Sequence, residues 1–149
     1  LICFATKEDY SVEYIDRIIE ECIQNIPIRN YLSNYVSLAY CDLLIASLSF
    51  LSRSGYFEFV EDRCKQALNI FNELVLLINR EKYKIDVTEI LAMVYLCQNK
   101  KEGVELANKV LKYRNIIAEN INNPLYKQKR DISYEKLCEV NKTGIDFEF

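Results

Sequence analysis

Chemistry in this chain has to come from carboxylates, amines, guanidinium groups, tyrosines and six cysteines, because there is no His and no Trp. The lack of His removes the commonest general acid–base group and the commonest neutral metal ligand. HExxH and ExxH motifs are therefore impossible, and no phosphate-cradling Gly-rich loop or GxSxG motif is present. The cysteines stand at positions 3, 22, 41, 64, 97 and 138, never within four residues of one another, which excludes CxxC redox pairs and local zinc knuckles. Cys22, Cys64 and Cys97 continue apolar helical runs, so the set reads as reduced core thiols in a cytoplasmic chain. A disulfide or one reactive thiol are the alternatives.

The acids pair poorly for catalysis. Neighbours such as Glu20/Glu21 and Glu61/Asp62 point about 100° apart on a helix, and Glu102/Glu105 precede Lys109 at salt-pairing distance, which reads as a solvated face. Asp42 stands out as the sole acid in an apolar segment. A carboxylate there needs a Lys, Arg or Tyr from a neighbouring helix, or an opening to solvent on a binding face. Neither catalytic residues nor a metal site nor a cofactor is expected.

Charge is lopsided within an overall −3. Residues 1–26 hold two basic against six acidic residues, a net −4, and display Glu13, Asp16, Glu20 and Glu21; residues 100–136 hold nine basic against five acidic, a net +4. The acidic start could steer a basic partner. The cluster Lys109, Lys112, Arg114, Lys127, Lys129 and Arg130, with Tyr113 and Tyr126 between, has the composition of a single-strand nucleic-acid patch, against which the net acidity argues. Tyr35, Tyr40 and Tyr95 are candidate partner contacts, because tyrosine offers large area at low side-chain entropy; the alternative is that they pack between helices.

The elements that must position these residues are helical. With 3 Gly and 2 Pro in 149 residues, an all-β chain would lack its turns. Apolar spacing predicts helices over 9–26, capped by Asp9 or Ser11 and stopped by Pro27; 33–53, buried nearly all round after Ser33 and Asn34; 57–80 after the Gly55 turn; 86–98, capped by Asp86; 101–121, with Arg114 outward; and a short 131–138, after which the tail shows no packing pattern. The uncharged runs Asn30–Cys41 and Leu43–Ser52 fall short of the roughly 18 residues of a membrane span, so no membrane contact is expected. No linker interrupts the chain, and one all-helical domain over 1–149 is expected. It starts at Leu1 without an initiator Met, as a trimmed chain lacking N-terminal elements would.

Two hairpins, 33–80 and 86–121, follow each other with a period near 44 residues, within the range of solenoid repeats. Gly55 followed by Ala67-Leu68, and Ala92-Met93-Val94-Tyr95 followed by Asn99, Gly103-Val104, Ala107 and Leu111, resemble the tetratricopeptide repeat. That resemblance implies an all-α stack of about six helices in antiparallel hairpins, a right-handed superhelix serving as a partner-binding scaffold. Val60 and Gly103 or Val104 depart from the family's small second-helix Ala. The segments Leu38-Ala39-Tyr40, Gly55 and Arg63-Cys64-Lys65-Gln66-Ala67-Leu68 are also similar to the all-α immunity proteins of bacterial toxin systems, immunity protein family forty-nine. The expected function is non-catalytic protein binding as a scaffold or adaptor; neutralisation of a basic toxin, and nucleic-acid binding, are the alternatives.

Overall fold

The computed structural model describes residues 11–30 and 34–149; Cys3, Lys7, Glu8, Asp9, Tyr31 and Ser33 lie outside the described residues. Among the described residues the chain is all-α, with six helices and no strand: α1 (Val12–Asn30), α2 (Asn34–Arg53), α3 (Phe57–Glu73), α4 (Arg80–Cys97), α5 (Glu102–Asn120) and α6 (Pro124–Val140). It divides into two compact units, one running to Val87 and the other from Thr88 to Phe149, so α4 starts in the first and ends in the second.

In the first unit α1 starts where Ser11 caps it: the Ser11 hydroxyl accepts from the Tyr14 N–H at 3.2 Å. Ile15, Ile19, Cys22 and Ile26 then bury one stripe at i, i+4, i+7 and i+11. Pro27 does not stop this helix, which continues to Asn30. Only the Ile23 carbonyl loses an i+4 donor to the proline, and one missing bond next to the helix end is a smaller loss than one in mid-helix. The Ser37 hydroxyl donates to the Ile26 carbonyl at 3.4 Å and joins α2 to the end of α1. The closest pairing here is α1 with α2, with α3 touching both. α2 buries Cys41, Leu44, Leu48 and Leu51. It is not buried all round as its composition implied, since Tyr35, Val36, Ala39 and Asp42 are exposed; it is also long and apolar enough to cross a bilayer, a test that core helices of soluble proteins pass equally.

The helix expected over 57–80 ends at Glu73. Leu74 and Leu77 turn inward, Val75, Leu76 and Ile78 stay in water, and Asn79 takes φ 58°. That left-handed conformation is one Asn tolerates better than most side chains. The reversal brings the buried Tyr83 ring onto Phe71, centroids 6.0 Å apart and planes at 25°. α4 therefore begins at Arg80, and the expected cap Asp86 lies inside it, paired with Lys82 at 3.7 Å. Ring packing between distant residues outweighs the local capping signal.

The second unit is built on a close crossing. A Cβ on Gly103 would lie 2.8 Å from the Leu96 backbone nitrogen and 2.9 Å from Leu96 Cγ. With only hydrogen there, Val104, Ala107 and Leu111 of α5 close over Ala92 and Leu96 of α4, and Leu137 of α6 completes the core. α6 is longer than the expected 131–138: Pro124 stands at its first position and the Asn123 side chain accepts from the Leu125 N–H at 3.0 Å. The tail is packed, with Phe147 against this same core.

Each unit contains the same helix-ending turn. After α2, Tyr56 N–H bonds to the Leu51 carbonyl (3.3 Å) and Gly55 N–H to Ser52 (3.2 Å); after α4, Lys100 N–H bonds to Tyr95 (2.9 Å) and Asn99 N–H to Leu96 (3.1 Å). Gly55 (φ 88°) and Asn99 (φ 57°) hold the left-handed position of this paired 6→1 and 5→2 pattern, 44 residues apart.

Gly103→Ala should lower stability by about 1–3 kcal/mol in denaturant melts, because overpacking against backbone exceeds the gain in helix propensity. A Gly103→Ala variant as stable as the parent would disprove the crossing.

Candidate functional site

The acidic face of α1 is partly committed to structure. Arg63 of α3 donates from Nη2 and Nε to Asp16 Oδ1 at 2.7 and 3.1 Å, and from Nη1 to Glu20 and to Gln66 Oε1 (2.9 Å). Its guanidinium lies 5.6 Å from the centre of the Phe59 ring. The guanidinium is mostly covered while both carboxylates reach water, so the fork is worth about 1–2 kcal/mol. Asp16 and Glu20, expected to face a partner, are thus tied to α3, whereas Glu13 and Glu21 remain exposed.

Asp42 is exposed, which is the opening to solvent its setting allowed, and the buried Tyr83 hydrogen-bonds to it. Burial raises the Tyr83 pKa, and the Asp42 charge adds to the effect. Lys82 Nζ covers the Tyr83 ring at 4.9 Å. Tyr35 is 86% exposed and Tyr40 half-buried. Tyr95 belongs to the second unit, half-buried, with Lys100 Nζ 5.2 Å from its ring.

The six basic candidates do not act alike. Lys109, Lys112, Lys127 and Lys129 are exposed. Arg114 does not point outward: it is 6% exposed and its Nη2 meets Glu89 Oε2 at 3.3 Å. It occupies the buried stripe Ala107, Leu111, Arg114, Ala118, and a planar guanidinium can be buried there because a carboxylate comes with it. Arg130 contacts Glu119 (3.2 Å), Asp131 (3.0 Å) and Asn115 Oδ1 (2.9 Å). Arg114 and Arg130 are therefore neutralised inside the second unit.

A cavity of ≈ 210 Å³ lies between the start of α1 and the end of α2, lined by Ser11, Val12, Ile15, Phe50, Leu51, Ser54 and Tyr56. This lining carries no carboxylate, amine or thiol, and the volume is below the ~300 Å³ at which ligand pockets begin. Among the described residues no three Cys, Asp or Glu side chains gather as a metal site. Compared against protein families, curated proteins and solved structures, the chain gives no match.

What the sequence reading missed is the tail. Glu148 N–H donates to Asn108 Oδ1 at 2.8 Å, and Tyr134 meets Phe147 and Phe149 at 6.5 and 5.8 Å. The alternation Ile145-Asp146-Phe147-Glu148-Phe149 was the available signal.

Cys22, Cys41 and Cys64 are buried, and burial pushes each thiol from 9.0 up to about 12, with Glu21, Asp42 and Glu61 adding respectively. The folded chain keeps protons that the unfolded chain releases above pH ~9. Stability present below that pH is therefore lost as pH rises toward about 12. Denaturant melts at stepped pH should show this decline, with a shallower slope in Cys64→Ala. Identical slopes in the parent and the variant would refute the burial assignment.

Proposed function

We propose that the chain is a non-catalytic protein-interaction module, a scaffold or adaptor built from tetratricopeptide-like helical hairpins. The observation that carries this reading is the hairpin turn that recurs 44 residues apart at Gly55 and Asn99. Hairpins repeated at such a period offer extended surfaces to partners. Large apolar side chains left in water add support: Tyr35 on α2, and Val75 and Leu76, 72% and 84% exposed, at the turn between α3 and α4. Tyrosine contributes rigid contact area at low entropic cost.

Glu13 and Glu21 on the acidic α1 favour a partner with a basic surface. A toxin neutralised by occlusion in a bacterial cytoplasm is one such partner. The nucleic-acid reading draws less support, since Arg114 and Arg130 already have carboxylate partners.

Affinity capture from native lysate at two salt concentrations, with and without nuclease, tests the proposal. The expected result is one stoichiometric protein partner that survives nuclease. Retained nucleic acid that disappears at high salt, with no protein, would overturn it.

A further inference from the structure

The segment after α6 is an extended strap laid over the second unit. A local turn delivers it there: Asn141 Oδ1 accepts from Thr143 N–H (3.0 Å) and from the Thr143 hydroxyl (2.6 Å), Asn141 Nδ2 donates to the Ile145 carbonyl (2.9 Å), and Gly144 takes φ 72°. Lys142 N–H reaches the Leu96 carbonyl at 3.3 Å. Beyond the turn, apolar and acidic residues alternate, the period of an extended chain with two faces.

What receives the strap is built by two helices. Asn108 on α5 accepts the Glu148 N–H, while Tyr134 on α6 presents its ring edgewise to Phe147 and in a tilted arrangement to Phe149. Phe147 leans on the core that includes Leu96, Leu111 and Leu137. The recognised unit is therefore an aromatic-x-aromatic triplet whose middle N–H is read by one amide oxygen. The strap itself is held lightly: Phe147 is half-buried, and Ile145 and Phe149 stay 40% and 50% exposed.

We infer that the surface formed by Asn108 and Tyr134 over the Leu96–Leu111–Leu137 core is a docking seat for an extended peptide with two aromatic residues spaced by one, and that Phe147-Glu148-Phe149 occupies it in cis. The occupant in trans is a partner protein exposing such a triplet, which must displace the strap. This rests on the reading of the chain as a protein-interaction module and names the surface and ligand that the module uses. A tethered occupant lowers the apparent affinity for any free peptide by the fraction of time the seat is open.

The probe is a fluorescein-labelled peptide with the sequence of residues 143–149, titrated by anisotropy into full chains. The double variant Phe147→Ala/Phe149→Ala, with its strap released, is expected to bind the probe at least about tenfold tighter than the parent, which corresponds to a strap docked nine-tenths of the time. Adding Asn108→Ala should weaken that binding about fivefold, the loss of one hydrogen bond. If the double variant loses helical circular dichroism, Phe149→Ala alone, which removes only the half-exposed ring, carries the same comparison. Equal binding, or none, by parent and folded variant would overturn the seat. So would a concentration-dependent dimer of the parent that vanishes in the variant, since that assigns the seat to a second copy. If the peptide fails to bind while the parent and Asn108→Ala chains still retain the same protein partner from lysate, the seat is discarded and the interaction module stands.

Discussion

The close approach of Gly103 to Leu96 is the constraint on which the second unit depends. With hydrogen in place of a side chain, α5 comes within contact of the α4 backbone, and that fixes which residues of α5 face inward. Val104, Ala107 and Leu111 fall over Ala92 and Leu96. One helical repeat further on, Arg114 falls beside Glu89. On the flank of the same stripe, next to Val104 and Leu111, Asn108 is left where the Glu148 N–H can reach it. A shift of one residue along α5 would turn each of these side chains by about 100°, so core, ion pair and strap contact all inherit their register from one missing Cβ.

Charge does structural work in both units, in different ways. In the first, Arg63 gathers two carboxylates one helical turn apart and locks α3 to α1 at a boundary still open to water. In the second, Glu89 and Arg114 are both nearly covered, and Glu89 Oε1 is buried without a hydrogen-bond partner. Such a pair adds little net stability over apolar residues of the same size. It penalises any packing that would separate the two charges, and so specifies how α5 lies on α4. These uses tie Asp16, Glu20, Arg114 and Arg130 into the fold, while Glu13, Glu21, Tyr35 and the aliphatic turn at Val75 and Leu76 stay exposed.

The helical class and the inward stripes were legible because apolar residues recur at 3.6-residue spacing, as with Ile15, Ile19, Cys22 and Ile26. Failures arose where a residue's type argued against its spacing. Arg114 lies on the stripe of Ala107, Leu111 and Ala118, and spacing alone places it inward; only its charge argued for solvent. Pro27 argued for a stop that a position so near the helix end does not require. The aliphatic run Leu74–Ile78 continued the helical pattern, but stacking of Tyr83 on Phe71 depends on residues 12 apart and leaves no local trace. Of the candidate site, Asp42 stood out as the sole acid of an apolar segment, while Arg63 and the strap gave no signal at helical period, since one is a single cation beside an apolar stripe and the other alternates with period two.

The strap is held lightly: beyond the Asn141–Thr143 turn, one half-buried ring, two ring contacts and the Glu148–Asn108 hydrogen bond, worth about 1 kcal/mol, offset the entropy of ordering a five-residue extended segment. A segment balanced in this way opens locally, without unfolding the helices beneath it. Native-state hydrogen exchange of the unaltered chain measures that opening directly. A reversible occupant requires the Glu148 amide to exchange orders of magnitude faster than the Leu111 amide and with almost no dependence on dilute denaturant. Exchange of both amides at one rate, with the same denaturant slope, would make the strap an inseparable part of the core and leave no seat for a partner.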